Sequence, residues 1–152
     1  MVTVARVSGV KFYVTYATKK VISVIDEETL EQIEELLDEL RKYSAEGVPI
    51  IVEGALDEKA LRELGVGGDV FHVSGSGRTA LNFLEGLPSR PQIVVLTDFD
   101  RAGEELARFC AEHLRRLGIE PIVDLREKLK VLLRKDIKDI QSLAKFIKKH
   151  VV

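Results

Sequence analysis

Apolar and polar positions along the chain follow two regimes. Through residue 25 they alternate, as at Val2, Val4 and Arg6-Val7, and Lys11–Tyr16 and Val21–Ile25 read as hairpin arms joined across Ala17-Thr18-Lys19-Lys20. Leu30, Ile33, Leu36, Leu37 and Leu40 then recur at helical spacing, which predicts an amphipathic helix over Asp26–Tyr43. Glu27 and Glu28 suit the positive end of its dipole, Arg41 and Lys42 the negative end. Gly47 and Pro49 close this first unit. From Ile50 onward short continuous apolar runs take over, at Ile50–Val52, Val70–Val73, Ile93–Leu96 and Pro121–Val123. Amphipathic stretches separate and follow them: Glu58–Leu64, Arg78–Leu84, Arg101–Leu117, Leu125–Lys135 and Ile137–Lys149. Asp57 is expected to cap the first of these, and Gly65 and Gly118 to stop the first and third.

Strands that are apolar throughout and alternate with helices call for a parallel sheet buried on both faces. The expectation is therefore an α/β, Rossmann-like fold, with a central parallel four-stranded sheet, helices on both faces and a small N-terminal β element. Residues 1–47 form a hairpin-and-helix extension, 48–124 the core, and 125–152 basic helices packed on it, all in one globular unit. The 152 residues are enough to bury such a core.

Charge adds an asymmetry that the net value of -2 conceals. Residues 26–46 hold nine acidic and two basic side chains, and residues 125–152 nine basic and three acidic. The basic end reads either as a footprint for a polyanion or as a solvated helix face. The single cysteine, Cys110, cannot make an internal disulfide, and its helical apolar setting makes it a core residue. His72, His113 and His150 lack zinc-ligand spacing. With neither a signal peptide nor an apolar run of membrane length, a cytoplasmic protein without membrane contact is expected. The aliphatic, Glu, Lys and Arg usage suits a thermophile.

The chemistry concentrates where the third apolar run ends, in Thr97-Asp98-Phe99-Asp100-Arg101-Ala102-Gly103. Ligand sites of parallel sheets lie at the carboxyl ends of strands. In extended backbone residues i and i+2 share a face, so Asp98 and Asp100 are expected to converge. Glu53 follows the first core strand as Asp98 follows the third. If those strands are neighbours, three carboxylates meet across one crevice, where Mg2+, or Mn2+, relieves their repulsion. Glu53 is the one expected to retain freedom to move protons. Gly54 permits close backbone approach, Gly75 and Ser76 offer amides to a phosphate, and Arg78 and Arg101 offer guanidinium groups. The alternatives stay open: a plain turn at 75–77, and pairing of Arg101 with Asp57 or Glu104. His72 reads as a packed histidine. Tyr13 and Tyr16, beside Lys11, Lys19 and Lys20, either stack on bases or cover a sheet edge.

Ile50–Leu61, IIVEGALDEKAL, followed by Val94–Leu106, VVLTDFDRAGEEL, resembles the Toprim domain over about residues 48–124. Glu53-Gly54, Asp57, Asp98, Asp100, Arg101 and Gly103 all fall on its pattern, and Val73–Gly77 resembles its Ser/Gly loop. Haloacid-dehalogenase phosphatases share Asp-x-Asp, but after the first core strand and without the preceding Glu-Gly. Primases, type IA and type II topoisomerases, RecR proteins and the nuclease that matures 5S ribosomal RNA contain Toprim domains. The C-terminal part resembles small stand-alone archaeal Toprim proteins. The resemblance implies Glu53 as proton-handling catalytic residue and metal contact, Asp98 and Asp100 as magnesium ligands, and Asp57 as a supporting acidic residue. It implies binding of Mg2+ and nucleic acid, RNA preferred by analogy with the 5S nuclease. Two functions remain open: metal-dependent phosphodiester cleavage in RNA or DNA processing, or a non-catalytic nucleic-acid-binding or assembly module with protein partners.

Overall fold

The structure, a computed structural model, describes residues 2–7, 10–15, 21–74, 79–133 and 137–150. Three strands open the chain, β1 (Val2–Val7), β2 (Val10–Thr15) and β3 (Val21–Asp26), paired antiparallel in that order. The connection at 16–20 lies outside the described residues, as do the side chains of the base-stacking reading, Tyr13, Tyr16 and their lysines. Helix α1 (Glu27–Ala45) follows and buries Leu30, Ile33, Leu36, Leu37 and Leu40, the stripe its spacing predicts.

The core then alternates: β4 (Ile50–Val52), α2 (Ala55–Glu63), β5 (Val70–His72), α3 (Ala80–Glu85), β6 (Gln92–Val95), α4 (Arg101–Arg116) and β7 (Glu120–Ile122). Helices α5 (Asp124–Leu133) and α6 (Ile140–His150) close it. The sheet order is β5-β4-β6-β7, parallel throughout, with Ile51 opposite Val95 where β4 meets β6. The two-residue strand period sorts the core into two layers. Ile50, Val52, Val94 and Ile122 join residues of α1, α2, α5 and α6. Ile51, Ile93 and Val95 join Phe83 and Leu84 of α3 and Ala107, Cys110 and Leu114 of α4. Both faces are covered, as expected of a Rossmann-like α/β fold. Burial first, and then the charge of Glu53, pushes the Cys110 thiol up to about 12, so it is an inert core group.

Gly47, Gly65 and Gly118 end α1, α2 and α4 with φ of 88°, 90° and 77°, a conformation that costs glycine little. Two expectations are corrected. Helix α2 starts at Ala55, and Asp57 is not its N-cap but lies in its first turn. Gly54 occupies the cap, donating its N–H to the Asp57 carboxylate at 3.0 Å, while the Asp57 N–H returns to the Gly54 carbonyl at 3.2 Å. The second correction concerns Arg126, which does not join the basic outer face but is fully buried. Leu125, Leu129 and Leu133 are buried with it. No described helix is long and apolar enough to cross a membrane.

Candidate metal centre

From β4 the chain passes to β5 on one side, then returns through α3 to β6 on the other. Such a reversal leaves a crevice at the carboxyl ends of the two central strands. Glu53 follows β4 directly, Asp98 follows β6, and Asp57 rises from the first turn of α2. One carboxylate oxygen from each of the three lies within 4.8 Å of the other two. Asp57 is 4% exposed, and both its oxygens accept hydrogen bonds, from Gly54 N–H at 3.0 Å and from the Gln141 side-chain amide at 3.3 Å.

Burial pushes Asp98 up to about 8, helped by a hydrogen bond with Glu53 and by the charges of Glu53, Asp57 and Asp139. Near neutral pH metal-free Asp98 therefore keeps its proton. A like-charge cluster of oxygen donors, already needing one positive charge, fits a hard divalent cation with open positions for water. Asp98, carrying its raised value, contributes stability that is complete below about pH 4 and lost as pH rises through about 8. Metal-free protein is accordingly expected to melt lower at pH 8.5 than at pH 6. Scanning calorimetry should show that dependence flattened in Asp98→Asn, and an unchanged slope in the variant counts against the assignment.

Asp100 does not join the trio. Phe99 turns inward, 6% exposed, and the chain bends into α4, so Asp100 becomes its N-cap and accepts the Gly103 N–H at 2.7 Å. The i, i+2 argument fails because the backbone does not stay extended through Phe99. Arg101 is 94% exposed and meets Glu105 at 3.6 Å, rather than Asp57 or Glu104. Gly54 serves as the α2 cap, and a Cβ there would make only ordinary contact with the Ser74 hydroxyl at 3.4 Å. Gly75, Ser76 and Arg78 lie outside the described residues. His72, half-buried, pairs with the Glu58 carboxylate.

Behind Asp98 stands a support that the charge pattern did not reveal. The Arg126 guanidinium donates to Thr97 Oγ1 at 3.0 Å, to the Asp98 carbonyl at 2.6 Å, to Glu104 at 2.7 Å and to Glu127 at 2.9 Å. Hydrogen bonds from Lys130, then Arg126, push Glu104 down to about 2. Thr97 donates its hydroxyl to the Gly103 carbonyl at 2.6 Å. A readable signal existed: Arg126 precedes Leu129 and Leu133 by three and seven positions, which puts it on the buried stripe of α5.

The Toprim domain pattern matches residues 48–132. The chain belongs to the Toprim family. A UPF0292 protein of Methanosarcina acetivorans is 39% identical over 121 residues, spanning 79% of this chain and 83% of its own. A UPF0292 protein of Pyrococcus horikoshii is 40% identical over 117 residues, spanning 76% and 84%. A solved structure of a protein from Aquifex aeolicus superposes with a TM-score of 0.60 at 28% identity, covering 71% of this chain and 94% of that one. The resemblance to small archaeal Toprim proteins thus holds. Toprim membership brings divalent-metal binding and nucleic-acid processing in general, and the acidic trio of this Toprim chain can hold a metal.

Proposed function

We propose that this protein cleaves phosphodiester bonds, preferring RNA, with magnesium or manganese as cofactor. The observation that carries the reading is the convergence of Glu53, Asp57 and Asp98 within 4.8 Å at the crevice between β4 and β6. These three residues would hold the ion, Asp57 taking the place expected of Asp100. When bound, such an ion supplies an activated water and offsets charge on the phosphate. Asp57, buried and hydrogen-bonded on both oxygens, orients the set. Glu53, beside Asp98 at the crevice, is suited to take a proton from the attacking water or give one to the leaving oxygen. Arg101 extends into solvent at the start of α4, where a substrate phosphate can meet it. Lys138, Lys145, Lys148 and Lys149 are exposed and suit a polyanion, whereas Lys128 and Lys130 are paired with Asp124 and Glu104.

The test uses labelled single-stranded RNA, structured RNA and DNA with magnesium, manganese or a chelator. Wild type is expected to cleave only with metal. Glu53→Gln should lose at least about 100-fold, the usual scale of general acid–base catalysis. Asp98→Asn should be inactive and Asp100→Asn should stay within a few-fold of wild type. Cleavage surviving in Glu53→Gln would remove the proposed role. Metal binding without cleavage of any substrate would leave a nucleic-acid-binding module.

A further inference from the structure

The family match ends at residue 132, yet the segment 137–141 beyond it reaches the metal centre from outside. The Lys138 carbonyl accepts the N–H of Phe99, the residue after Asp98, at 2.6 Å. Asp139 adds its charge to those facing Asp98. The Gln141 side-chain amide donates to Asp57 Oδ1 at 3.3 Å, across 84 positions of chain.

The segment is firmly seated. Ile137, Ile140, Leu143 and Ala144 are buried in the core layer that also holds Ala60, Leu61 and Leu64 of the α2 region. Asp139 caps its helix, accepting the Ser142 N–H at 2.7 Å. Helix α6 thus packs on the helix that carries Asp57. Among the described residues Asp57 has one anchor at Gly54, the N-cap of α2, and a second from α6. With both oxygens held, the carboxylate is fixed where one of its oxygens lies within 4.8 Å of oxygens of Glu53 and Asp98. Loss of the second anchor lets the carboxylate rotate, and a rotating ligand binds a cation less well.

We propose that Gln141 is a positioning residue of the metal centre, acting through Asp57, so that docking of α6 and divalent-cation affinity reinforce each other. The inference rests on the metal-binding part of the proposed function. Outer-shell partners of metal ligands commonly change affinity by about 10–100-fold, and coupling between two sites is reciprocal.

Manganese is the probe, measured on the full chain by titration calorimetry, with hydrogen exchange read along α6. Gln141→Leu is expected to weaken manganese binding about ten-fold, at the lower end of outer-shell effects. In wild type manganese should raise the protection of α6 amides, and in Gln141→Leu that rise should vanish. Glu63→Gln, exposed on the helix that carries Asp57, should change neither. Gln141→Ala repeats the measurement with no new apolar bulk, so misfolding of one variant does not decide the outcome. A purely structural contact would shift the melting temperature and leave affinity untouched. Manganese affinity of the Gln141 variants within about two-fold of wild type, well short of the outer-shell range, overturns the inference, as does unchanged α6 protection in wild type. Failure of wild type to bind manganese at all brings down the metal-centre reading itself, a distinguishable result.

Discussion

Arg126→Met is expected to destabilise the protein by about 2–6 kcal/mol, at about 1–3 kcal/mol for each of two hydrogen-bond acceptors left unpaired. The guanidinium is fully buried and gives hydrogen bonds to Thr97, Asp98, Glu104 and Glu127. Its loss strands two acceptors of the Asp98 loop, the Thr97 and Asp98 carbonyls, and leaves Glu104 to Lys130 alone. Arg126→Lys should rescue little, because an ammonium cannot reproduce the planar fork that reaches two elements at once. Arg126→Met combined with Glu104→Leu should regain part of the loss, since an apolar pair leaves less buried charge uncompensated. Urea unfolding of the three variants measures the differences. A single Arg126→Met change that costs under about 1 kcal/mol, the scale of a surface pair, would mean that this arginine does not hold the loop.

Gly103→Ala should also destabilise strongly, although glycine-to-alanine inside a helix ordinarily gains about 1 kcal/mol. A Cβ at Gly103 would stand 1.9 Å from the Asp98 carbonyl oxygen and 2.6 Å from its carbon, both backbone atoms that cannot swing aside. Relief requires α4 to withdraw from the loop, which breaks the Asp100 cap and the Thr97–Gly103 hydrogen bond together. A cost of about 3 kcal/mol or more follows, at the upper end for overpacking. Ala102→Gly, one position earlier and exposed, is the control and should cost about 1 kcal/mol by propensity alone. The same unfolding measurement decides: a Gly103→Ala protein as stable as wild type contradicts the close approach of α4 to Asp98.

These two residues show where sequence reasoning carries and where it stops. Three apolar positions in β4 and three in β6 sufficed to place Glu53 and Asp98 at strand ends, because only a sheet covered on both faces hides such runs, and the observed sheet order meets the condition that the two strands be neighbours. Strand-end position is a property of local pattern, and so was legible. The third carboxylate was not. Choosing Asp100 assumed extended backbone, yet an Asp three residues before Gly103 and directly before a helix also has the form of an N-cap, and the cap prevails. Asp57 was read as a cap from its local setting and as a supporting acidic residue from the resemblance, whereas its hydrogen bond with Gln141 depends on a partner far along the chain. Arg126 was counted by charge within a lysine-rich run. Its burial follows from helical phase relative to Leu129 and Leu133, which a charge balance ignores.

The strand order β5-β4-β6-β7 also bears on how the protein comes into being. Glu53 and Asp98 sit about 45 positions apart, and Asp57 and Gln141 84 positions apart. Closing loops of that size costs chain entropy before any contact repays it, so pairings of this kind form late. On an emerging chain Glu53 and Asp57 are four positions apart, but Asp98 joins them only through strand pairing. A cation therefore has no complete trio to grip until β4 and β6 have paired and α6 has docked. A cation held there would act on the finished molecule by mass action, slowing its unfolding rather than guiding its folding.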